Sequence, residues 1–88
     1  LENEFIDIFP NPITSDNFSL EFALNQSGTT QIQLYNLQGM KVKDFASQLF
    51  NSGANYLDCE IENIPNGAYF IAITNNNRRI VSPIIIAR

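Results

Sequence analysis

Apolar and polar residues alternate along most of this chain with a period of two, which is typical of β-strands that pack one face on a core. In NFSLEFAL, Phe18, Leu20, Phe22 and Leu24 fall on one face, and the residues between them fall on the other. The alternation recurs in TQIQLYN (30–36), in MKVKDFA (40–46), where Met40 and Val42 oppose two lysines, and in NYLDCEIE (55–62). AYFIAI (68–73) is apolar on both faces, as expected of a central strand covered on both sides or lying under a loop.

Turn-forming residues separate these runs at regular intervals. They are PNP (10–12), NQSG (25–28), NLQG (36–39), NSG (51–53), NIPNG (63–67) and NNNR (75–78). Together with FIDIF (5–9) and RIVSPIIIA (79–87), the pattern gives about seven strands. We therefore predict one all-β domain over residues 1–88, an immunoglobulin-like antiparallel β-sandwich without the Cys–Trp–Cys signature.

The composition of the chain argues against several classes of function. The chain of 88 residues has a formal net charge of −4, which disfavours nucleic acid as a partner because phosphate binding needs a basic face. It has no histidine and one cysteine, so an internal disulfide and a thiolate metal site are excluded, and an enzyme is not expected. It lacks an initial Met, a signal peptide and an apolar run of about 18 residues, which favours a segment cut from a longer secreted protein.

Four residues of one predicted strand carry reactive or metal-binding groups. Cys59 falls on the inward face, where a buried inert thiol is favoured over a nucleophile. Asp58, Glu60 and Glu62 share the outward face and could attract a cation, but calcium needs roughly six or more converging oxygens. A solvated face is the favoured interpretation. We therefore predict no catalytic residue, no metal site, no cofactor and no small-molecule substrate.

Two turn motifs have clear backbone chemistry. Pro65, Asn66 and Gly67 form a tight reversal, and Tyr69 then enters the next strand with a phenol able to hydrogen-bond nearby backbone, as in a tyrosine corner. The triplet Pro10–Asn11–Pro12 predicts a rigid, extended break after the first strand. Both motifs are explained by folding alone.

Four blocks in this order and spacing carry a family resemblance: IFPNP, QLYNLQGMKV with Gly39 at its turn, IPNGAYFIAI, and a basic turn followed by an apolar strand. They resemble the C-terminal sorting domain (type A) of proteins exported by the type IX secretion system of Bacteroidota. The resemblance covers nearly the whole chain. Phe9 and Ile64 stand where that family often has Tyr and Leu, and Pro83 interrupts the last strand.

The resemblance implies a sorting tag for an N-terminal cargo domain. Such tags are recognised in the periplasm and guide the cargo through the outer-membrane translocon. A sortase-like peptidase commonly removes them, and the cargo is released or attached to the cell surface. The acidic composition and the lone cysteine suit this route.

The last strand is the candidate recognition element. Pro83 cannot donate a ladder hydrogen bond, so the strand is expected at a sheet edge or at a bulge. An edge strand can pair with a partner by strand addition. Ile84 and Ile86 would close the sandwich and Ile85 would face the partner, while Arg88 would provide a mobile charge. The basic residues Arg78 and Arg79 match the family's pattern, although a solvated turn also explains this pair.

Two other function classes stay open. Immunoglobulin-like modules of this size also bind carbohydrate or mediate adhesion, which generally needs exposed aromatic rings for stacking. Only Tyr35 and Tyr56 are predicted to face outward. If these rings lie side by side on one sheet, carbohydrate binding is favoured; if they lie apart, it is disfavoured. A passive spacer domain is the remaining alternative.

Overall fold

The computed structural model describes residues 4–88, which form seven strands and no helix. The strands are β1 (Phe5–Phe9), β2 (Asn17–Leu24), β3 (Gly28–Asn36), β4 (Lys41–Phe50), β5 (Gly53–Glu60), β6 (Gly67–Asn75) and β7 (Arg78–Ile86). Within this part of the chain, no helix is long and apolar enough to cross a membrane.

Two antiparallel sheets form the sandwich, which confirms the predicted all-β fold. The three-stranded sheet has the order β1-β2-β5, and the four-stranded sheet has the order β4-β3-β6-β7. Each sheet has an inner face toward the other sheet and an outer face toward solvent. β6 is a central strand, flanked by β3 and β7. The Phe70 side chain on its outer face is half-buried.

The core lies between the inner faces and follows the predicted alternation in most strands. The predicted inward residues Phe18, Leu20, Phe22 and Leu24 are all buried. Other buried apolar side chains of the core are Ile8, Ile13, Ile32, Leu34, Phe50, Cys59, Ile61, Ile64, Tyr69, Ile71, Ile73, Ile84 and Ile86. The rings of Phe22 and Phe50 pack edge to face with centroids 5.2 Å apart, which joins the two sheets.

The prediction for the start of β4 is wrong. Met40 and Val42 are 60% and 38% exposed instead of buried. The ladder between β3 and β4 pairs Ile32 with Ala46 but the next residue with Asp44, and a second shift follows Leu34. The extra residues are Phe45 and Val42, so Val42 is left out of the ladder and the alternation fails there. Met40 is exposed because it lies in the turn before β4.

The loops gather at two opposite ends of the sandwich. One end, here called the Glu4 end, contains Glu4 and the loops at 25–27, 51–52 and 76–77. The other, the Arg88 end, contains Arg88 and the segments 10–16, 37–40 and 61–66. This follows from the strand register, since β1 runs from the pair Phe5–Ala23 to the pair Phe9–Ser19, and β7 ends beside Gly67.

Candidate functional site

Three of the four sequence blocks that carry the family resemblance meet at the Arg88 end, where the strand of the fourth block ends. Pro10, Gly39 and Pro65 lie in three different loops, and the fold brings these loops to the end of β7. Motifs that are far apart in the sequence therefore form one structural region. This region and β7 together are the candidate functional site.

The turn from Pro65 to Tyr69 is a tyrosine corner, as predicted. The Tyr69 hydroxyl donates a hydrogen bond of 2.6 Å to the carbonyl oxygen of Pro65, and its ring is 8% exposed. Gly67 has a φ of +153°, which residues with a side chain rarely adopt. The corner fixes the start of β6, and β6 pairs along its whole length with β7.

The turn after β3 is held by one asparagine side chain. The Asn36 Oδ1 atom accepts hydrogen bonds from the backbone N–H groups of Gln38 and Met40, both at 3.0 Å. Gly39 completes this turn with a φ of +85°. The turn is therefore a rigid support for its two exposed apolar residues, Met40 and Leu37.

β7 lies at the edge of the four-stranded sheet, as its proline predicts. Ile84 and Ile86 point inward and are each 1% exposed, whereas Ile85 points outward and is 45% exposed. Pro83 is exposed and lies opposite Phe70. The predicted division of the three isoleucines between two faces is confirmed.

The segment Pro10–Asn11–Pro12 leads into a pairing that the sequence does not predict. The Ile13 N–H donates to the carbonyl of Ile85 at 2.8 Å, and the Ala87 N–H donates to the carbonyl of Ile13 at 2.8 Å. The Ile13 side chain is fully buried. The only signal in the sequence is an isolated apolar residue after a proline, which is too common to indicate pairing with a distant strand.

These hydrogen bonds define the free edge of β7. Both backbone groups of a strand residue point to one side, and the side alternates along the strand. Since the backbone groups of Ile85 face away from β6, those of Arg79, Val81 and Pro83 do as well. Because proline has no N–H, the outward side of β7 lacks a hydrogen-bond donor at Pro83, whereas the hydrogen bonds between β7 and β6 are unaffected. Within residues 4–88, the backbone hydrogen bonds to this edge come from Ile13 at its last residues, and β1 lies alongside β7 without pairing to it.

The prediction that Arg88 is a mobile charge is wrong. Its guanidinium lies 3.3 Å from the Asp16 carboxylate and donates to the carbonyl oxygens of Ile61 and Ile64, and its side chain is 21% exposed. The Asn66 side-chain amide donates to the Arg88 carbonyl at 2.9 Å and accepts from the Arg88 N–H at 3.3 Å. Arg88 is held because the turns around it present carbonyl oxygens that need donors.

The two arginines at the start of β7 have different surroundings. Arg78 pairs with Glu4 at 2.7 Å, and its side chain is 60% exposed. Arg79 lies on the outer face, with its guanidinium carbon 5.1 Å from the centroid of the Tyr35 ring. The two charges therefore do not act as one basic cluster.

The candidate reactive residues lie near an open groove of about 510 Å³ on the three-stranded sheet, which is lined by Phe9, Pro10, Asn17, Phe18, Ser19, Asp58, Cys59 and Glu60. Cys59 is 2% exposed, as predicted. Burial, with a further contribution from the Asp58 charge, raises the pKa of its thiol to about 12. The thiolate needed for nucleophilic attack is therefore scarce at neutral pH.

The three acidic residues on the outward face, Asp58, Glu60 and Glu62, are exposed, and Asp58 accepts a hydrogen bond from Ser19 at 3.2 Å.

The two tyrosines considered for carbohydrate stacking are on different sheets. Tyr35 belongs to β3 and Tyr56 to β5, and each points to the outer face of its own sheet. Tyr56 is 71% exposed and donates to Glu21 at 3.0 Å, whereas Tyr35 is half-buried. The rings cannot form one flat platform, so the geometry disfavours glycan binding.

Comparison with models of known protein families identifies the family of this chain. The family model for the secretion system C-terminal sorting domain matches residues 7–87. The chain belongs to this family. No curated protein matches it. A sorting domain of this family is a C-terminal signal for the type IX secretion system, and it directs an attached cargo to the cell surface or the extracellular space. The family is not catalytic.

Proposed function

We propose that the sorting domain is recognised as a folded sandwich, through the free edge and outward side chains of β7. In this proposal the domain ends a longer secreted protein, and its N-terminal cargo crosses the periplasm with it. The partners are the outer-membrane translocon and a sortase-like peptidase. The domain catalyses no reaction itself and needs no cofactor. The observation that carries this proposal is the edge position of β7: within residues 4–88, no strand pairs with its outward backbone groups from Arg79 to Pro83, and β1 lies alongside this edge without pairing to it.

Strand addition explains how such an edge could be recognised. Outward N–H and C=O groups at Arg79 and Val81 offer a partner strand the backbone bonds that give affinity in this mode. The missing N–H at Pro83 limits the length of strand that can pair, which protects the edge from aggregation. Within residues 4–88, Ile13 occupies the other end of the edge. A partner strand would therefore bind in one register, beside Arg79–Pro83.

The side chains of β7 divide the proposed recognition residues into two groups. Ile85 and Arg79 lie on the outer face, where a partner can reach them. Ile84 and Ile86 are buried, so they act by holding β7 in place. Arg88 holds the end of the strand in the same way, through Asp16 and the turn carbonyls. Arg78 lies at the Glu4 end, paired with Glu4.

Because part of β7 is buried, the proposal must be tested at an exposed position whose substitution leaves the domain folded. A truncation of 84–88 would remove two buried isoleucines and would unfold the domain. Val81 is a better position because it is 50% exposed and its N–H faces the free edge. Val81→Pro removes that N–H without removing a bond to β6, and Val81→Thr keeps the N–H and the branched side chain.

The experiment measures export of a fluorescent reporter that follows a signal peptide and precedes residues 1–88, in a Bacteroidota strain. We expect Val81→Pro to reduce the extracellular fraction by about tenfold, the effect of removing one good hydrogen bond, and Val81→Thr to stay within about twofold of native. Urea unfolding of each purified domain establishes that it folds. Native export of a folded Val81→Pro domain would overturn recognition through this edge.

A further inference from the structure

The outer face of the four-stranded sheet exposes a continuous apolar surface next to the proposed recognition strand. The strand register places Tyr35, Phe70 and Pro83 in one row across β3, β6 and β7. Val81 and Ile85 flank this row on β7. We call these five residues the outer apolar surface; Leu37 and Met40 are exposed in the turn that follows β3.

Several residues of the outer apolar surface and of the turn that follows β3 are unusually exposed for large apolar residues. Leu37 and Met40 are 62% and 60% exposed, and Val81 and Ile85 are 50% and 45% exposed. Single exposed apolar residues are ordinary, but a connected group is typical of an interaction site. Burying each of these side chains in a partner would strengthen binding by about fivefold or more.

The charges of the two outer faces are of opposite sign. On the three-stranded sheet, Asp7 lies directly opposite Glu21, and Asp58 and Glu60 follow on β5. Within residues 4–88, no Lys or Arg lies in the strands of this sheet, so the strands themselves provide no cation to offset the repulsion between these carboxylates.

The outer face of the four-stranded sheet instead has Arg79 at its border and Lys41 beside Tyr35. Among the described residues, the strands of this sheet contain one carboxylate, Asp44, which is paired with Lys41 at 2.9 Å. A partner bordered by carboxylates would be attracted to this face and repelled by the opposite one. A second copy of the chain would instead bring Arg79 and Lys41 against the same cations.

The outer apolar surface is also ordered before any partner binds. The Arg79 guanidinium lies on the Tyr35 ring, and the Tyr35 hydroxyl donates to the Gln33 side chain at 2.8 Å. The turn that supports Leu37 and Met40 is fixed by the Asn36 side chain. Binding would therefore cost little additional side-chain ordering.

We propose that the partner of the sorting domain covers the outer apolar surface with an apolar protein surface bordered by carboxylates. The proposal rests on recognition at β7, and extends the contact from that strand across the sheet to Tyr35 and to the turn after β3, where Leu37 and Met40 are exposed.

The test uses the same export reporter with substitutions far from the β7 edge. The double variant Leu37→Glu, Met40→Glu should reduce extracellular reporter by about tenfold or more, because it places two charges in the interface. The matched control is Leu49→Glu, which is 68% exposed on the same sheet but near the Glu4 end. This control should stay within about twofold of native.

The sign of the partner's charge is tested at one position. Met40→Lys and Met40→Glu remove the same apolar side chain, so a carboxylate-bordered partner predicts that the Lys variant is exported at least about threefold better. Equal export of the two variants would overturn the acidic border. If the double variant is exported as well as the native domain, the outer-face contact is overturned. If export of the native domain does not depend on the type IX system, the sorting function itself is overturned.

Two further measurements exclude other occupants of this surface. We expect the purified native domain to sediment as a monomer at micromolar concentration and not to bind vesicles of phosphatidylethanolamine and phosphatidylglycerol. A native dimer that the double variant abolishes would assign the surface to self-association and overturn the proposal. Vesicle binding that the double variant abolishes would assign it to a lipid surface, with the same consequence.

Discussion

Replacing Arg88 with alanine tests whether the end of β7 is anchored or free. In the structure its guanidinium contacts the Asp16 carboxylate at 3.3 Å and the carbonyl oxygens of Ile61 and Ile64. Because its side chain is only 21% exposed, water can replace these bonds only in part. We therefore expect Arg88→Ala to loosen β7 and both turns that it bridges.

The size of the effect follows from the ion pair and hydrogen bonds that alanine cannot form. The Asp16 side chain is 60% exposed, so its ion pair contributes about 0.2–1 kcal/mol. A hydrogen bond from a charged donor to a carbonyl contributes about 1.5–3 kcal/mol, and the 3.4 Å contact to Ile61 adds little. The free energy of unfolding should fall by roughly 2–3 kcal/mol, which lowers the Tm by about 10–20 °C for a domain of this size.

The assay is urea unfolding followed by far-UV circular dichroism, with Arg79→Ala as the matched control. Arg79→Ala also removes an interaction, with the Tyr35 ring at 5.1 Å, but on an exposed face where it contributes about 0.5–1 kcal/mol. If Arg88→Ala costs no more stability than Arg79→Ala, Arg88 is not an anchor. That result would instead support the hypothesis that Arg88 presents a mobile charge to a partner.

Three further predictions follow from single contacts. Tyr69→Phe removes the phenol that donates to Pro65 and should lower the free energy of unfolding by about 1 kcal/mol in urea; an unchanged midpoint would argue against the corner. Cys59 should resist iodoacetamide at pH 8 until urea unfolds the domain, because burial raises its pKa to about 12; rapid labelling of the folded protein would contradict this. The Lys41 ammonium lowers the pKa of Asp44, so carboxyl NMR should show a higher Asp44 pKa in Lys41→Met; an unchanged value would refute this pair.

The sequence predicts the fold where strand pairing is regular. Phe18, Leu20 and Phe22 face the core as their alternation requires, because β2 pairs with both neighbours without a register shift. Val42 does not, because it is an extra residue in β4 that breaks the period, and Met40 does not, because it lies in the turn before β4. A bulge depends on how neighbouring strands fit together, so the sequence of one strand does not reveal it.

The candidate site could be predicted only in its local parts. Pro83 indicates an edge strand because proline lacks an N–H, and Tyr69 indicates a corner because its acceptor is four residues away. Ile13 and Arg88 form their contacts with distant segments, namely the end of β7 and Asp16. No periodicity or spacing marks such pairs, so the sequence alone predicts a free charge at Arg88.

Export of the native reporter in strains with and without a working type IX system tests most directly whether this domain is a sorting signal. We expect residues 1–88 to carry the reporter out of the cell only when the system works. Equal amounts of extracellular reporter in both strains, or a folded reporter retained in the periplasm of both, would contradict it.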